Sequence, residues 1–190
     1  MKRLGIKEFQ IFVKGKLSTD ILERYKTFQI LCEADLQCHV WQILNDYFSN
    51  DDRTKKMICV LNRPYLKEIG IHPDIVIFRR KKPWIIFELK EWKKPKQRSA
   101  VKDFDRILNA KKHFSDKYNY RLQRGYLLYV SRRKVENLFT ATNKPDLHYI
   151  NAVPIILEDH MKPTEIFKWE QKFAQWSKYI TKPKNKSSIT

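Results

Sequence analysis

Apolar residues recur along this chain with two different spacings, and the two spacings predict different elements. Residues 25–48 carry apolar side chains every three or four positions, which predicts a long helix, and Thr19 followed by acidic residues indicates a helix start before it. The same spacing predicts helices over residues 99–114 and 164–180. For residues 6–13 the pattern fits either a strand or a short helix.

Shorter apolar runs, rich in branched and aromatic side chains, predict β-strands. These runs cover residues 56–62, 75–78, 84–89 and 126–130, and a further strand at 153–157 follows a short helix at 134–140. The order is thus helix, three consecutive strands, helix and strand. We therefore expect an α/β fold with a mixed central β-sheet flanked by α-helices.

Two of the predicted strands form a hairpin that brings acidic residues together. If Phe78 pairs with Trp84, the antiparallel register places Asp74 directly opposite Glu88, with their Cβ atoms roughly 4.5–5.5 Å apart. Because side chains alternate along a strand, Glu88 and Lys90 project from the same face. The sequence therefore predicts that Asp74, Glu88 and Lys90 converge on one side of the sheet.

Two carboxylates opposed at the end of an apolar strand pair repel each other, and a hard cation removes that conflict. Mg²⁺ commonly binds one or two carboxylates and keeps water ligands, and Mn²⁺ accepts the same oxygen ligands. The Lys90 ammonium cannot bind a metal while protonated, but it can orient water or neutralise charge on a phosphate. The alternative is an ordinary strand end in solvent, where Pro-Asp turns and Glu-x-Lys pairs are common.

The segment from Pro73-Asp74 to Glu88-Leu89-Lys90 resembles the PD-(D/E)xK nuclease superfamily, also called restriction-endonuclease-like. The resemblance covers about half of the chain. It implies a restriction-endonuclease-like core in which Asp74 and Glu88 bind Mg²⁺ and Lys90 assists catalysis. The family often adds a glutamate from the first core helix, and Glu33 is the residue that fits; the alternative for Glu33 is a solvated helix acid.

By this resemblance the chain is expected to be a Mg²⁺-dependent endodeoxyribonuclease, with Mn²⁺ as a substitute metal. The motif leaves the DNA substrate open between structure-selective, resolvase-like cutting and the processing of viral or mobile-element DNA. The small chain leaves little room for a separate recognition domain, which favours substrate shape over an extended base sequence.

The charge of the chain favours a nucleic-acid partner. Lys and Arg number 39 against 21 Asp and Glu, a formal net charge of +18 that opposes compaction unless a polyanion balances it. Basic residues follow both predicted strands of the hairpin, and we expect phosphate contacts there, although a solvated loop has the same composition. The candidate phosphate-binding residues are Arg79, Arg80, Lys93, Lys94, Lys96, Arg98, Lys102 and Arg106.

The remaining expectations concern organisation and location. We predict one nuclease domain over residues 1–181 and a flexible basic tail over residues 182–190. No apolar run reaches membrane-spanning length and no signal core follows Met1, so we expect a cytoplasmic protein, or one of the host cytoplasm if the chain is viral. Duplex cutting commonly needs two active sites, which favours a homodimer, and the apolar stripe of residues 164–180 either covers the core or forms such an interface.

Two other functions fit the same sequence. A non-enzymatic DNA-binding protein could use the nuclease-like fold as a platform, although a pure binding surface has no need of two opposed acids. A peripheral membrane protein would use the apolar stripe of the last helix and the basic tail.

Overall fold

The computed structural model describes residues 4–54, 56–61, 72–92, 97–132 and 149–180, which contain five α-helices and five strands besides shorter helical segments. The helices are α1 (Ile6–Phe12), α2 (Ser18–Lys26), α3 (Glu33–Ser49), α4 (Gln97–Tyr118) and α5 (Pro163–Ile180). The strands are β1 (Met57–Leu61), β2 (Ile75–Arg79), β3 (Lys82–Trp92), β4 (Arg124–Ser131) and β5 (Ile150–Ile156).

The strands form one sheet in the order β1-β2-β3-β4-β5. β2 pairs antiparallel with both β1 and β3, whereas β4 runs parallel to β3 and to β5. β3 is therefore the strand at which the antiparallel half of the sheet meets the parallel half. This arrangement confirms the predicted α/β fold with a mixed central sheet flanked by helices.

Helices cover both faces of the sheet because side chains alternate along each strand. Ile75 and Phe87 belong to the core that the sheet shares with α1, α2, α3 and α5. Val76 and Ile86, on the opposite face, pack with the apolar residues of α4. From Ile85 onward the alternation along β3 places Ile86 and Glu88 on the α4 side and Phe87 and Leu89 in the other core.

The apolar stripe of α5 covers the core where its side chains are described. Ile166 and Trp169 are buried, and the Trp169 indole N–H donates a 2.8 Å hydrogen bond to the carbonyl oxygen of Ile30. This part of the stripe packs against the α3 layer. The side chains of Phe173, Trp176 and Ile180 lie outside the described residues. A dimer interface there stays a prediction.

The β2–β3 hairpin has the predicted register next to the candidate site. Ile75 pairs with Phe87, Val76 with Ile86 and Ile77 with Ile85. Continuing that register places Asp74 beside Glu88, as the sequence predicts.

The predicted pairing of Phe78 with Trp84 is wrong, because Phe78 pairs with Pro83 across a register shift. The turn consists of Arg80 and Lys81, whose φ values of 52° and 66° are both positive, as in the two-residue turns that suit strand twist. That short turn leaves one residue of β3 unmatched. A bulge absorbs it and keeps the rest of the hairpin in phase with the core.

The N-terminal region is helical from Ile6 onward, so the strand alternative for residues 6–13 is excluded and the predicted helix start at Thr19 is wrong. α1 continues through a π-helical segment, Val13–Leu17, directly into α2. Phe9, Leu17 and Ile21 are fully buried along this stretch. One continuous apolar face therefore carries the chain past Thr19.

The long helix predicted over residues 25–48 is interrupted. α2 ends at Lys26 and α3 begins at Glu33, with Phe28 at a φ of 60° between them. The backbone N–H of Gln29 donates to the carbonyl of Arg24 at 2.9 Å, which satisfies the end of α2 before the chain turns. The interruption matters for function because it makes Glu33 the first residue of a helix.

Two further predictions lie beyond what the structure describes. The helix at residues 134–140 and the tail at residues 182–190 both fall outside the described residues. Among the helices that are described, none combines the length and apolar character needed to cross a bilayer.

Candidate active site

Glu88 is buried without a hydrogen-bond partner in the described residues. Its side chain projects from β3 on the same face as Ile86, toward α4, and the residue is 1% exposed. Neither Oε1 nor Oε2 accepts a hydrogen bond from any group that the structure describes. A carboxylate in that position needs a cation, a proton or a donor to offset the loss of water.

Asp74, at the start of β2, has a different environment because both of its oxygens accept hydrogen bonds. The backbone N–H of Leu89 donates to Oδ2 at 2.7 Å, and the side-chain amide of Gln37 donates to Oδ1 at 2.8 Å. The first bond ties β2 to β3 next to Glu88, and the second ties both strands to α3. Asp74 is therefore held in a fixed orientation beside Glu88.

Lys90 and Glu33, two of the predicted site residues, are joined to each other. Lys90 Nζ donates a 2.9 Å hydrogen bond to Glu33 Oε1, and the backbone N–H of Glu91 lies 3.5 Å from Glu33 Oε2. Asp35 fixes the start of α3 by accepting hydrogen bonds from two backbone N–H groups just before the helix. That start aims Glu33 at β3, where it pairs with Lys90 while 39% of its side chain stays exposed, and its membership of the site stays a prediction.

The structure adds an acid that the sequence pattern does not identify. Asp103 of α4 is 2% exposed and its Oδ2 has no hydrogen-bond partner in the described part of the chain. Arg106, one turn later, donates from Nη1 to Asp103 Oδ1 at 3.1 Å, and the same nitrogen lies 3.7 Å from Glu88 Oε2. The sequence signal for Asp103 is its place on the apolar stripe of α4, four residues before the buried Ile107.

Burial, with smaller contributions from neighbouring acids, raises the pKa values of the acids of the site. Burial raises the pKa of Glu88 to about 9, and the negative charges of Asp74 and Asp103 add to that shift, against the opposing charges of Arg106 and Lys90. Burial likewise raises the pKa of Asp74 to about 6, although the Leu89 N–H lowers it. Without a bound metal ion, Glu88 therefore keeps at neutral pH a proton that an ordinary carboxyl group has lost.

The same surroundings also shift the pKa values of Asp103 and Lys90. Burial raises the pKa of Asp103, against the positive charges of Lys90 and Arg106. Burial lowers the pKa of Lys90, but the hydrogen bond and charge of Glu33 outweigh it and raise that pKa above its usual value. Lys90 is therefore an ammonium group held at the edge of a cluster of acids.

The oxygen atoms of this cluster fit a hard divalent cation. Glu88 and Asp103 contribute buried oxygens that lack donors among the described groups, and Asp74 lies beside them. No group of three or more His, Cys, Asp or Glu side chains in the described ranges is arranged as a ready metal cage. Mg²⁺ does not require one, because it commonly binds one or two carboxylates and completes its shell with water and phosphate oxygens.

The candidate phosphate-binding residues fall into separate places. Lys102 is exposed on α4 next to Asp103, and the Arg106 side chain is 48% exposed. Arg79 and Arg80 lie at the hairpin end of β2, opposite Asp74 and roughly 17–20 Å from it at the usual rise per strand residue. Lys93, Lys94 and Lys96, and the side chain of Arg98, lie outside the described residues.

Comparison with known proteins identifies no family for this chain. No family model and no curated protein matches it. Among solved structures, the small subunit of the heterodimeric restriction endonuclease R.BspD6I aligns with a TM-score of 0.38 and 10% identity, over 85% of this chain and 98% of that chain. A TM-score of this size carries no inference about function, so the site is interpreted from this chain's own residues.

Proposed function

We propose that this protein is a metal-dependent nuclease that hydrolyses phosphodiester bonds in DNA, with Asp74 and Glu88 holding Mg²⁺ and Lys90 assisting catalysis. The observation that carries the proposal is the burial of Glu88 beside Asp74, with both Glu88 oxygens lacking a donor among the described groups and an ammonium group next to them. Such a cluster is unfavourable by itself and becomes favourable when a divalent cation binds.

Asp74, Glu88 and Lys90 each have a role in that reaction. Bound Mg²⁺ would act as a Lewis acid toward the phosphate and favour ionisation of a water molecule. Asp74, fixed by Leu89 and Gln37, keeps one carboxylate oriented toward Glu88. Lys90, held by Glu33, supplies a positive charge that stabilises the additional negative charge on the phosphate in the transition state.

DNA is the proposed substrate because of the charge of the whole chain. The net charge of +18 favours a polyanion, and exposed Lys102 and Arg106 lie on the helix that borders the carboxylates. Cutting both strands of a duplex would require a second active site, so we extend the proposal to a homodimer. Light scattering of the protein with and without duplex DNA measures that state directly.

The test is a cleavage assay on supercoiled, linear, flap and four-way-junction DNA with Mg²⁺ or Mn²⁺. We expect cleavage that EDTA abolishes, and a loss of roughly 100-fold or more for Asp74→Asn, Glu88→Gln and Lys90→Ala. Asp116→Asn, an exposed acid on α4, is the matched control and should retain activity. Circular dichroism and the Tm establish that each variant is folded.

The assay also separates the nuclease from a non-enzymatic DNA-binding protein. Tight, salt-sensitive binding with every substrate left intact in both metals would overturn the nuclease proposal. In that case Asp74→Asn should leave DNA affinity unchanged or raise it, because the variant removes a negative charge that repels phosphate.

A further inference from the structure

A single nitrogen atom of Arg106 lies between carboxylates from two different elements. Nη1 donates to Asp103 Oδ1 at 3.1 Å within α4, and it lies 3.7 Å from Glu88 Oε2 on β3. The guanidinium group therefore lies against the two most deeply buried acids of the site at once. A cation in this position does for Glu88 and Asp103 what a divalent metal ion would do in the proposed nuclease.

The three side chains differ sharply in exposure. The side chains of Glu88 and Asp103 are 1% and 3% exposed, whereas that of Arg106 is 48% exposed. The acids are fixed by packing, but the arginine reaches them from the surface on a long, flexible side chain. Arg106 can therefore exchange these contacts for solvent or another anion without changing the fold, while Glu88 and Asp103 cannot.

The other cation beside these acids is already engaged. Lys90 Nζ is bound to Glu33 Oε1 at 2.9 Å, on the α3 side of the site. Loss of the Arg106 contacts would take away the donor of Asp103 Oδ1 and the positive charge 3.7 Å from Glu88 Oε2, an acid whose oxygens already lack a donor among the described groups. Such a vacancy favours entry of another cation.

We infer that Arg106 is an exchangeable counter-ion of the site. It holds Glu88 and Asp103 in the metal-free protein, gives way when a divalent cation binds, and then contacts a phosphate of the nucleic acid. Asp103 is a positioning residue that keeps Arg106 at the site and adds its negative charge to the attraction for the cation. This inference rests on the proposed metal site and adds a regulatory step to it.

The exchange predicts that substitutions of Arg106 and Asp103 change the Mn²⁺ affinity in opposite directions. Arg106→Gln removes a competing positive charge, so Mn²⁺ should bind on the order of tenfold more tightly than to the wild type. Asp103→Asn removes a negative charge, so Mn²⁺ should bind roughly 10- to 100-fold more weakly. The free Mn²⁺ signal in electron paramagnetic resonance, recorded without DNA, measures both affinities in the intact chain.

Two variants on the same helix serve as controls for charge alone. Lys112→Gln and Asp116→Asn change exposed residues of α4, and each should alter Mn²⁺ affinity less than twofold. Unchanged or weaker Mn²⁺ binding by Arg106→Gln, in a protein that melts cooperatively, would overturn the exchange. Equal effects of Asp103→Asn and Asp116→Asn would remove the positioning role of Asp103.

Duplex binding in Ca²⁺ provides the second readout, because Ca²⁺ takes oxygen ligands without the strict geometry that Mg²⁺ requires. Wild-type affinity for DNA should rise on adding Ca²⁺, and Arg106→Gln should lose at least half of that rise, as one phosphate contact is missing. If the wild type cleaves DNA but Arg106→Gln leaves Mn²⁺ affinity unchanged, the exchange fails and the nuclease stands. If the Mn²⁺ changes appear without any cleavage, the nuclease fails and the exchange stands.

Discussion

Glu88 sets the electrostatic character of the candidate site because its carboxyl group is removed from solvent and faces two other acids. Its pKa of about 9 in the folded protein stands above its ordinary value of 4.5. The folded state therefore binds more protons than the unfolded state between these values, and the metal-free protein loses stability as pH rises from about 4.5 to about 9. Bound metal would oppose that loss.

Replacing Glu88 by glutamine tests whether this carboxyl group makes the protein less stable as the pH rises. In EDTA at pH 8, Glu88→Gln should raise the Tm by on the order of 5 °C, because the neutral amide removes the cost of keeping a buried carboxyl group protonated well above its ordinary pKa. At pH 4 the same substitution should change the Tm little, since the native carboxyl group is protonated there. Calorimetry at the two pH values measures the difference. A Tm lowered equally at both would contradict the electrostatic account.

Some of the site residues can be predicted from a short stretch of sequence, and others cannot. Asp74, Glu88 and Lys90 follow from a hairpin register and the alternation of side chains, and both are properties of a short stretch of sequence. Asp103 does not follow from motif spacing, because acids in helices are ordinarily solvated. Asp103 is distinguished only by its position among the buried residues of α4. That position indicates a role in the site only when the packing of α4 against β3 is known.

At the scale of elements, the position of α4 on the sheet depends on close contact with β4. A Cβ atom at Gly125 would overlap Ile107 Cγ2, so the glycine permits the close approach of helix and strand. Because Asp103 and Arg106 are on the same helix, the packing at Gly125 also sets where these two charged groups meet Glu88. The fold and the site are therefore linked through this contact.

Gly125→Ala should destabilise the protein by about 1–3 kcal/mol, the usual cost of an additional methyl group in a packed interior. Gly5→Ala is the matched control, since a Cβ atom there would meet no atom within 4 Å. Urea unfolding of both variants gives the comparison. Adding Ile107→Ala to Gly125→Ala should cost less than the sum of the two single changes. Equal stability of the two alanine variants would show that the helix moves away freely.

The interruption between α2 and α3 shows why element boundaries are harder to predict than elements. Residues 25–48 keep an apolar pattern of helical spacing through the break, and neither glycine nor proline marks it. The segment is held instead by the Trp169 indole, which donates to the carbonyl of Ile30 from a helix far along the chain. A long-range contact of this kind overrides local helix propensity.

For the whole molecule, the net charge of +18 predicts binding to DNA that weakens steeply with salt. If six or more phosphates are contacted, affinity should fall by about 10³ or more between about 50 and 200 mM salt. Lys102→Gln should reduce the slope of log affinity against log salt by about 1, because exposed Lys102 borders the site.

Lys14→Gln is the matched control for that slope. Lys14 is equally exposed but lies on the π-helical segment, away from α4, so its loss should leave the slope nearly unchanged. Fluorescence anisotropy with a labelled duplex in EDTA measures the DNA affinity of the wild type and both variants at each salt concentration. Identical slopes for the wild type and Lys102→Gln would contradict the prediction that α4 is part of the DNA-binding surface.

The two-residue turn at Arg80 and Lys81 also has a consequence for the order in which the chain folds. Hairpins closed by short turns form within about 1–10 μs, whereas the parallel pairing of β3 with β4 must wait for an entire helix between them. Asp74 and Glu88 are therefore brought together early in folding, before α4 can deliver Arg106. If packing removes water from the two acids before Arg106 arrives, protons or dissolved cations would offset their repulsion, and we expect the pH and ionic composition of the solution to affect how quickly the native sheet is completed.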